Sequence, residues 1–270
     1  MAANRVSKLN IVALVLLATA AIGFVFLGRW QLSRAAERNA ISAAIEKGRA
    51  GEPVLLSGQT PAEQLQAWRP AQAEGVWRPE FSFLLDNRNL DGRPGLWLAT
   101  PLMLADGKAV LVLRGWFARP LGEALSPKIK TPQTAQMIRG ELSQHVPRLF
   151  EVWTGSGRAE KGFPEGWPEK NESTGQSEQL DKLIRLQNVE LSALSAQTGL
   201  QLLPVVLMQN NEVNDGLKRI WPEPSLDADK NIGYAMQWFG FAGIAVAIWL
   251  GLLWRLWRGR RRAPSASNSV

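Results

Sequence analysis

The sequence contains no cysteine, one histidine and one tyrosine in 270 residues. Without thiols there are no disulfides, zinc–thiolate centres, iron–sulfur ligands or covalent c-type haem attachment. The one histidine, His145 in Ser143-Gln-His-Val-Pro147, cannot form a histidine-based metal cluster, and its setting is that of an ordinary surface turn. Neither a Gly-x-Ser-x-Gly elbow nor a Walker loop occurs, so the chain carries no motif for acyl or phosphoryl transfer. It holds 24 acidic residues, but no spacing singles out a catalytic carboxylate pair. The expectation is a non-enzyme without a protein-bound metal.

Net charge is +7 and the isoelectric point is near 10, which taken alone suggests a nucleic-acid binder. The distribution of charge removes that inference. Seven of the 31 basic residues lie outside residues 29–233: Arg5 and Lys8 before, and Arg255, Arg258, Arg260, Arg261 and Arg262 after. The remaining 24 balance all 24 acids. Basic tails flanking apolar runs are a membrane-topology pattern, so the expected partner is membrane lipid and not nucleic acid.

Those runs are Leu9–Leu27 and Tyr234–Trp254, the second without a charge. About 20 residues at 1.5 Å each cross a hydrocarbon core roughly 30 Å thick. A cleaved signal peptide ending at Ala18-Thr19-Ala20 would leave a core of about seven residues, at the short limit, so a retained helix is expected. The resulting plan is a tail at 1–8, a span at 9–28, an external domain at 29–231, a span at 232–254 and a basic tail at 255–270. The positive flanks place both termini in the cytoplasm of a multi-pass inner-membrane protein whose main domain is periplasmic. Trp30, Trp238, Trp249, Trp254 and Trp257 sit near span ends, where indoles prefer the interface. Gly243, Ala247 and Gly251 line one face of the second span and invite a close neighbour, either the first span or a partner's helix.

Between the spans, short runs rich in β-branched and aromatic residues read as strands at 81–85, 96–100, 109–113, 135–142 and 202–209. Asp106-Gly107 marks a hairpin turn between residues 98 and 113. A helix is expected at 189–197, with Asn188 as its N-cap and Gly199 as its stop. Residues 154–180, dense in Gly, Pro, Glu, Lys and Ser, read as a loop. The fold class is therefore a membrane protein with two transmembrane helices flanking one α+β external domain dominated by antiparallel strands.

Several separated motifs add a more specific signal. Leu27-Gly-Arg-Trp-Gln-Leu-Ser-Arg34 leaves the first span, and Gly75-Val-Trp77-Arg-Pro79 precedes Leu85-Asp-Asn-Arg88. Gly92-Arg-Pro-Gly95, Thr100-Pro-Leu102 and Val110-Leu-Val-Leu-Arg-Gly-Trp116 follow, and Tyr234-Ala-Met-Gln-Trp-Phe239 opens the second span. In this order the set resembles the surfeit locus protein one family of cytochrome c oxidase assembly factors, from about residue 27 to 254. The resemblance implies a role in maturing the oxidase core subunit, alongside other assembly factors, by aiding haem a insertion. A scaffold that stabilises an assembly intermediate without touching haem is the alternative. Bacterial members place an axial histidine in a His-x-x-Tyr-Ala pattern, which here reads Asn231-Ile-Gly-Tyr234-Ala235.

Asn231, Tyr234, Ala235 and Trp238 are spaced i, i+3, i+4, i+7, the spacing of one helix face. With Gln237 they form either a polar-aromatic cradle for haem a or an interfacial aromatic belt on a helix capped by Asp227 or Asp229. Met236 points to the opposite side. Trp30, Gln31 and Arg34 serve as a structural anchor or, by the resemblance, pack beside the start of the second helix. Arg114, Gly115 and Trp116 close a strand, with Arg114 meeting either a haem propionate or an acid such as Asp86.

Overall fold

The computed structural model describes residues 8–120, 128–147, 163–164, 167, 177–180, 183–224 and 226–261. They fall into two compact units, Met1–Ala43 with Pro224–Val270, and Ala44–Glu223.

Two helices long and apolar enough to cross a membrane, α1 (Lys8–Arg49) and α3 (Ala228–Arg261), make up the first unit, α1 contributing its residues up to Ala43. The helix α1 outruns its apolar stretch because the sequence after it, Arg34-Ala-Ala-Glu-Arg and Ala43-Ala-Ile-Glu-Lys47, is built of strong helix formers. Both helices bury a narrow stripe. On α1 the buried positions Ala21, Gly28 and Ala35 recur every seven residues, and on α3 so do Ala228, Ala235 and Ala242. A seven-residue repeat keeps a seam facing its partner along the length of a left-handed helix pair. Small side chains at those positions let the backbones approach closely. Gly28 shows how closely, since a Cβ there would lie 2.8 Å from the Phe239 ring. The pair is antiparallel: Phe24 stacks on Trp238 at 5.7 Å, Gln31 meets Asn231, and Arg38 Nη1 donates to the Asp227 carbonyl at 2.7 Å. The small-residue face at Gly243, Ala247 and Gly251 is not this seam. Cβ atoms built at Gly243 and Gly251 meet nothing within 4 Å, and Ala242 and Ala245 take their place.

The strands of the second unit are β1 (Val54–Leu55), β2 (Pro70–Trp77), β3 (Phe83–Leu85), β4 (Gly95–Leu104), β5 (Ala109–Ala118), β6 (Lys128–Lys130), β7 (Gln136–Ser143), β8 (Ser177–Gln179), β9 (Arg185–Leu186) and β10 (Leu202–Gln209). One short helix, α2 (Leu191–Thr198), precedes β10. Strands β2, β4, β5, β10 and β7 pair in that order and return to β2, closing a five-stranded barrel. Its pairs are antiparallel except β5 with β10. This is the Greek-key strand order of an OB-fold barrel, although here the helix stands between the fourth and fifth barrel strands. Beyond the barrel, β3 and β9 continue the sheet from β4, and β1 lies along the first half of β2.

Strand alternation sorts the side chains. Ala73, Trp77, Leu102, Val110, Val112, Leu142 and Leu207 fill the barrel, while Leu111, Leu113, Val206 and Met208 point outward under α2 and its flanks. The hairpin with Asp106-Gly107 at its tip forms as the sequence suggests, Gly107 donating to the Leu104 carbonyl at 3.1 Å. Two expectations change. The helix α2 is entered at Glu190 and not at Asn188, and it closes at Gly199 in the left-handed region, φ +70. Residues 81–82 form a 3₁₀ turn and its exit ahead of β3. The loop expected at 154–180 lies for the most part outside the described residues.

Candidate functional site

The sequence-derived site residues divide between the two units. In the helical unit, α3 begins just after Asp227, whose carboxylate pairs with Lys230 at 2.6 Å. Lys230, one turn into the helix, is the first cause of the lowered Asp227 pKa. Asn231 then falls on the seam, half-buried, and its Nδ2 donates to Gln31 Oε1 at 2.6 Å. Gln31 occupies the matching position on α1, three residues after Gly28 and four before Ala35. The structure thus brings Gln31 to the start of the second helix, as the family pattern implies. Trp238 lies on the same seam, stacked on Phe24 and edge-on to Phe241 at 5.9 Å.

Tyr234 and Gln237 lie off that seam. Tyr234 is 52% exposed next to Ala235, which is 1% exposed. The four residues spaced i, i+3, i+4, i+7 therefore do not share one environment: Asn231, Ala235 and Trp238 face α1, and Tyr234 does not. A seam only two positions wide per heptad explains the difference, since adjacent positions rotate out of it by 100°. Met236 is 71% exposed, on the side expected for it. Trp30 and Arg34 form an exposed pair on α1, the guanidinium 5.7 Å from the indole and held also by Glu37 at 2.9 Å.

The strand motif belongs to the barrel. Strand β5 runs through it and ends at Ala118, two residues past Trp116. The register passes from Leu98 opposite Gly115 to Ala99 opposite Leu113, leaving Arg114 in a bulge. The consequence is a change of face. Val110, Val112 and Arg114 point into the barrel, but Trp116 is turned outward to join Leu111 and Leu113. Gly115 is required twice: its φ is +154, and a Cβ would stand 2.8 Å from the Leu217 Cβ and 3.0 Å from the Lys218 carbonyl. That approach seats residue 218, which exchanges backbone hydrogen bonds with Trp116 at 2.7 and 2.8 Å.

Arg114 is buried, stacked 4.7 Å from the Trp77 ring centroid. It donates to Thr131 Oγ1 at 2.8 Å and to the Lys130 carbonyl at 2.9 Å. Asp86, offered as its partner by the sequence, pairs with Arg119 instead. Arg114 thus plugs one end of the barrel as a cation on an indole.

Arg88, in the Leu85-Asp-Asn-Arg88 motif, is a further buried cation that the sequence does not single out. Arg88 is 3% exposed, stacks on Trp97 at 4.7 Å and donates to the Gln187 carbonyl at 2.8 Å. Its own carbonyl accepts the Trp116 indole N–H at 2.7 Å. Burial pushes its pKa down to about 10, against the opposing pull of Asp86. An isolated arginine carries no sequence sign of burial; only the neighbouring Trp97 and Trp116 hint at a stacking partner. His145 is exposed in a bend, in accord with the sequence.

Haem iron is usually held by His, Cys, Met or Tyr. The position that the resemblance assigns to the ligand carries Asn231, whose only free donor atom is a neutral, weakly basic amide oxygen, so it does not fit an axial ligand's place. Among the described residues no group of three or more His, Cys, Asp or Glu converges. The arrangement instead suits a helix pair presenting an aromatic and amide face beside the span entry.

Three relatives are similar to this chain in sequence along most of its length. They are uncharacterized SURF1-like proteins, one of Mycobacterium bovis and one from each of two strains of Mycobacterium tuberculosis. Each is 26% identical over 260 residues, covering 94% of this chain and 87% of the relative. The SURF1 family model matches residues 18–243, taking in most of α1, the whole barrel and the first part of α3. The chain belongs to the SURF1 family, a family generally of cytochrome oxidase assembly factors.

Proposed function

We propose that this protein is an inner-membrane assembly factor for cytochrome c oxidase that holds the core subunit during its maturation. Its main domain would be periplasmic and both termini cytoplasmic. The two-helix unit engages the client within the bilayer and the barrel unit engages it outside. Family membership supports the oxidase context. One observation favours holding over carrying haem a on an axial ligand: the position that the resemblance assigns to the ligand is Asn231, a neutral amide that donates to Gln31 within the seam and offers iron no imidazole. Its Oδ1 is buried with no partner among the described residues.

The test is deletion of the gene followed by complementation. Oxidase activity and oxidase haem a content fall in the deletion strain and return with the wild-type chain. The protein purified from haem a-producing cells gives no pyridine haemochrome signal. Stoichiometric haem a on the purified protein, lost in Asn231→Ala, would overturn the holding role in favour of haem a delivery. An unchanged oxidase in the deletion strain would remove the assembly role altogether.

A further inference from the structure

The antiparallel seam collects the chain's unbalanced positive charge at one end of the helix pair. The register that runs from Gln31–Asn231 to Phe24–Trp238 carries Lys8 of α1 and the Arg255 and Arg258 turns of α3 to that same end. All three side chains are exposed. The sequence places Arg260, Arg261 and Arg262 directly after them. No acidic residue precedes Glu37 or follows Asp229, so neither helix offers this end a carboxylate. Arg255 and Arg258 stand one turn apart, where like charges repel unless an anion lies between them. Arg258 stacks 4.2 Å from the Trp254 ring centroid, and the indoles of Trp254 and Trp257 are half exposed. Indoles at a span end settle at the headgroup level, so the stacked guanidinium sits at the depth of lipid phosphates.

We propose that this end of the helix pair is a binding surface for lipids with anionic headgroups. Depth argues for lipid over an acidic protein segment: the arginines follow the apolar stretch without a spacer, and Arg258 stacks on the interfacial Trp254. The inference requires only that the two helices cross a bilayer, and it is independent of the oxidase reading.

The full-length protein in phosphatidylcholine nanodiscs tests it, with trace spin-labelled phosphatidylglycerol or spin-labelled phosphatidylcholine reporting the lipid held at the protein surface. Both leaflets have one composition, so the direction of insertion does not affect the result. The protein holds the phosphatidylglycerol label in preference, with roughly fivefold per exposed arginine as the ceiling. The preference drops at least about threefold in R255Q/R258Q, survives in R255K/R258K, and shrinks as salt rises. Equal retention of the two labels would overturn the proposal, as would a preference untouched by R255Q/R258Q. Displacement of the label by millimolar inorganic phosphate would assign the arginines to free phosphate and overturn it too.

Discussion

Replacing Asn231 and Gln31 singly and together separates a seam residue from a ligand. The two amides meet at 2.6 Å between closely packed backbones, one residue from each helix. Polar pairs between membrane helices contribute about 0.6 kcal/mol on average and ~1.7 kcal/mol at most. A bond this short in a small-residue seam belongs toward the upper part of that range. Asn231→Ala and Gln31→Ala should each destabilise the helix pair by about 1 kcal/mol. The double variant should cost little more than either, a coupling of ~1 kcal/mol. Leucine at both positions removes the buried polar groups instead of orphaning one, so that variant should be near neutral or more stable. It would also lose a polar register mark, and alternative helix pairings should then appear. Reversible unfolding of the full chain in bilayers gives the energies, and cysteine cross-linking at positions 24 and 238, introduced into this cysteine-free chain, reports register. Strictly additive single effects would refute the bond as a stabilising element. Oxidase activity in the complemented deletion strain completes the comparison: a holding role predicts that the leucine pair restores it in proportion to correct register.

Gly28→Val places methyl groups where even a Cβ stands 2.8 Å from the Phe239 ring, so it should cost about 1–3 kcal/mol in the same unfolding assay. Gly251→Ala, which meets nothing within 4 Å, should be neutral or stabilising by up to ~1 kcal/mol. Gly115→Ala combines an unfavourable φ with contact on Leu217 and Lys218; about 3 kcal/mol is expected, read as a barrel melting point lower by ~5–10 °C. The Asp106 carboxylate accepts the Gly58 and Lys108 backbone N–H groups, and these hold its pKa below the ordinary carboxylate value. Because the folded pKa is the depressed one, its stabilisation is complete above about pH 4 and is lost as pH falls through the folded value. Asp106→Asn should flatten that part of the acid-unfolding profile.

Legibility in the sequence followed the strength of local signals. Both spans declare themselves by length and charge flanks, and β4, β5 and β10 by apolar runs, Leu202–Gln209 matching its strand end to end. Strand β2 shows in the sequence only at Gly75-Val-Trp77, because Pro70-Ala-Gln-Ala-Glu-Gly alternates alanine with polar residues, a pattern with almost no hydrophobic contrast. Alanine is used there because it faces the inside of a narrow barrel, a constraint that appears only when β2 closes against β4. The bulge at Arg114 was equally hidden. Even spacing places Arg114 and Trp116 on one face, and a single register shift separates them.

The same lesson decides how Asn231 is to be understood. Spacing of i, i+3, i+4, i+7 licenses a shared face but does not say which residues of that face meet another helix. Periodicity of seven does: Ala228, Ala235 and Ala242 on α3 answer Ala21, Gly28 and Ala35 on α1, and Asn231 lies between the first two of its own series. An imidazole there would point at Gln31 and acquire a hydrogen-bond partner that fixes its tautomer, as ligating histidines usually have. Asn231 makes its bond to Gln31 and has no imidazole nitrogen to offer. Asn231→His therefore tests whether the seam still has room for a ligand. Haem a captured by the variant, with an absorption band absent from the wild type, would show that the cradle has lost only its donor atom. No capture, with the helix pair intact, would show that the surrounding geometry has closed around the amide pair.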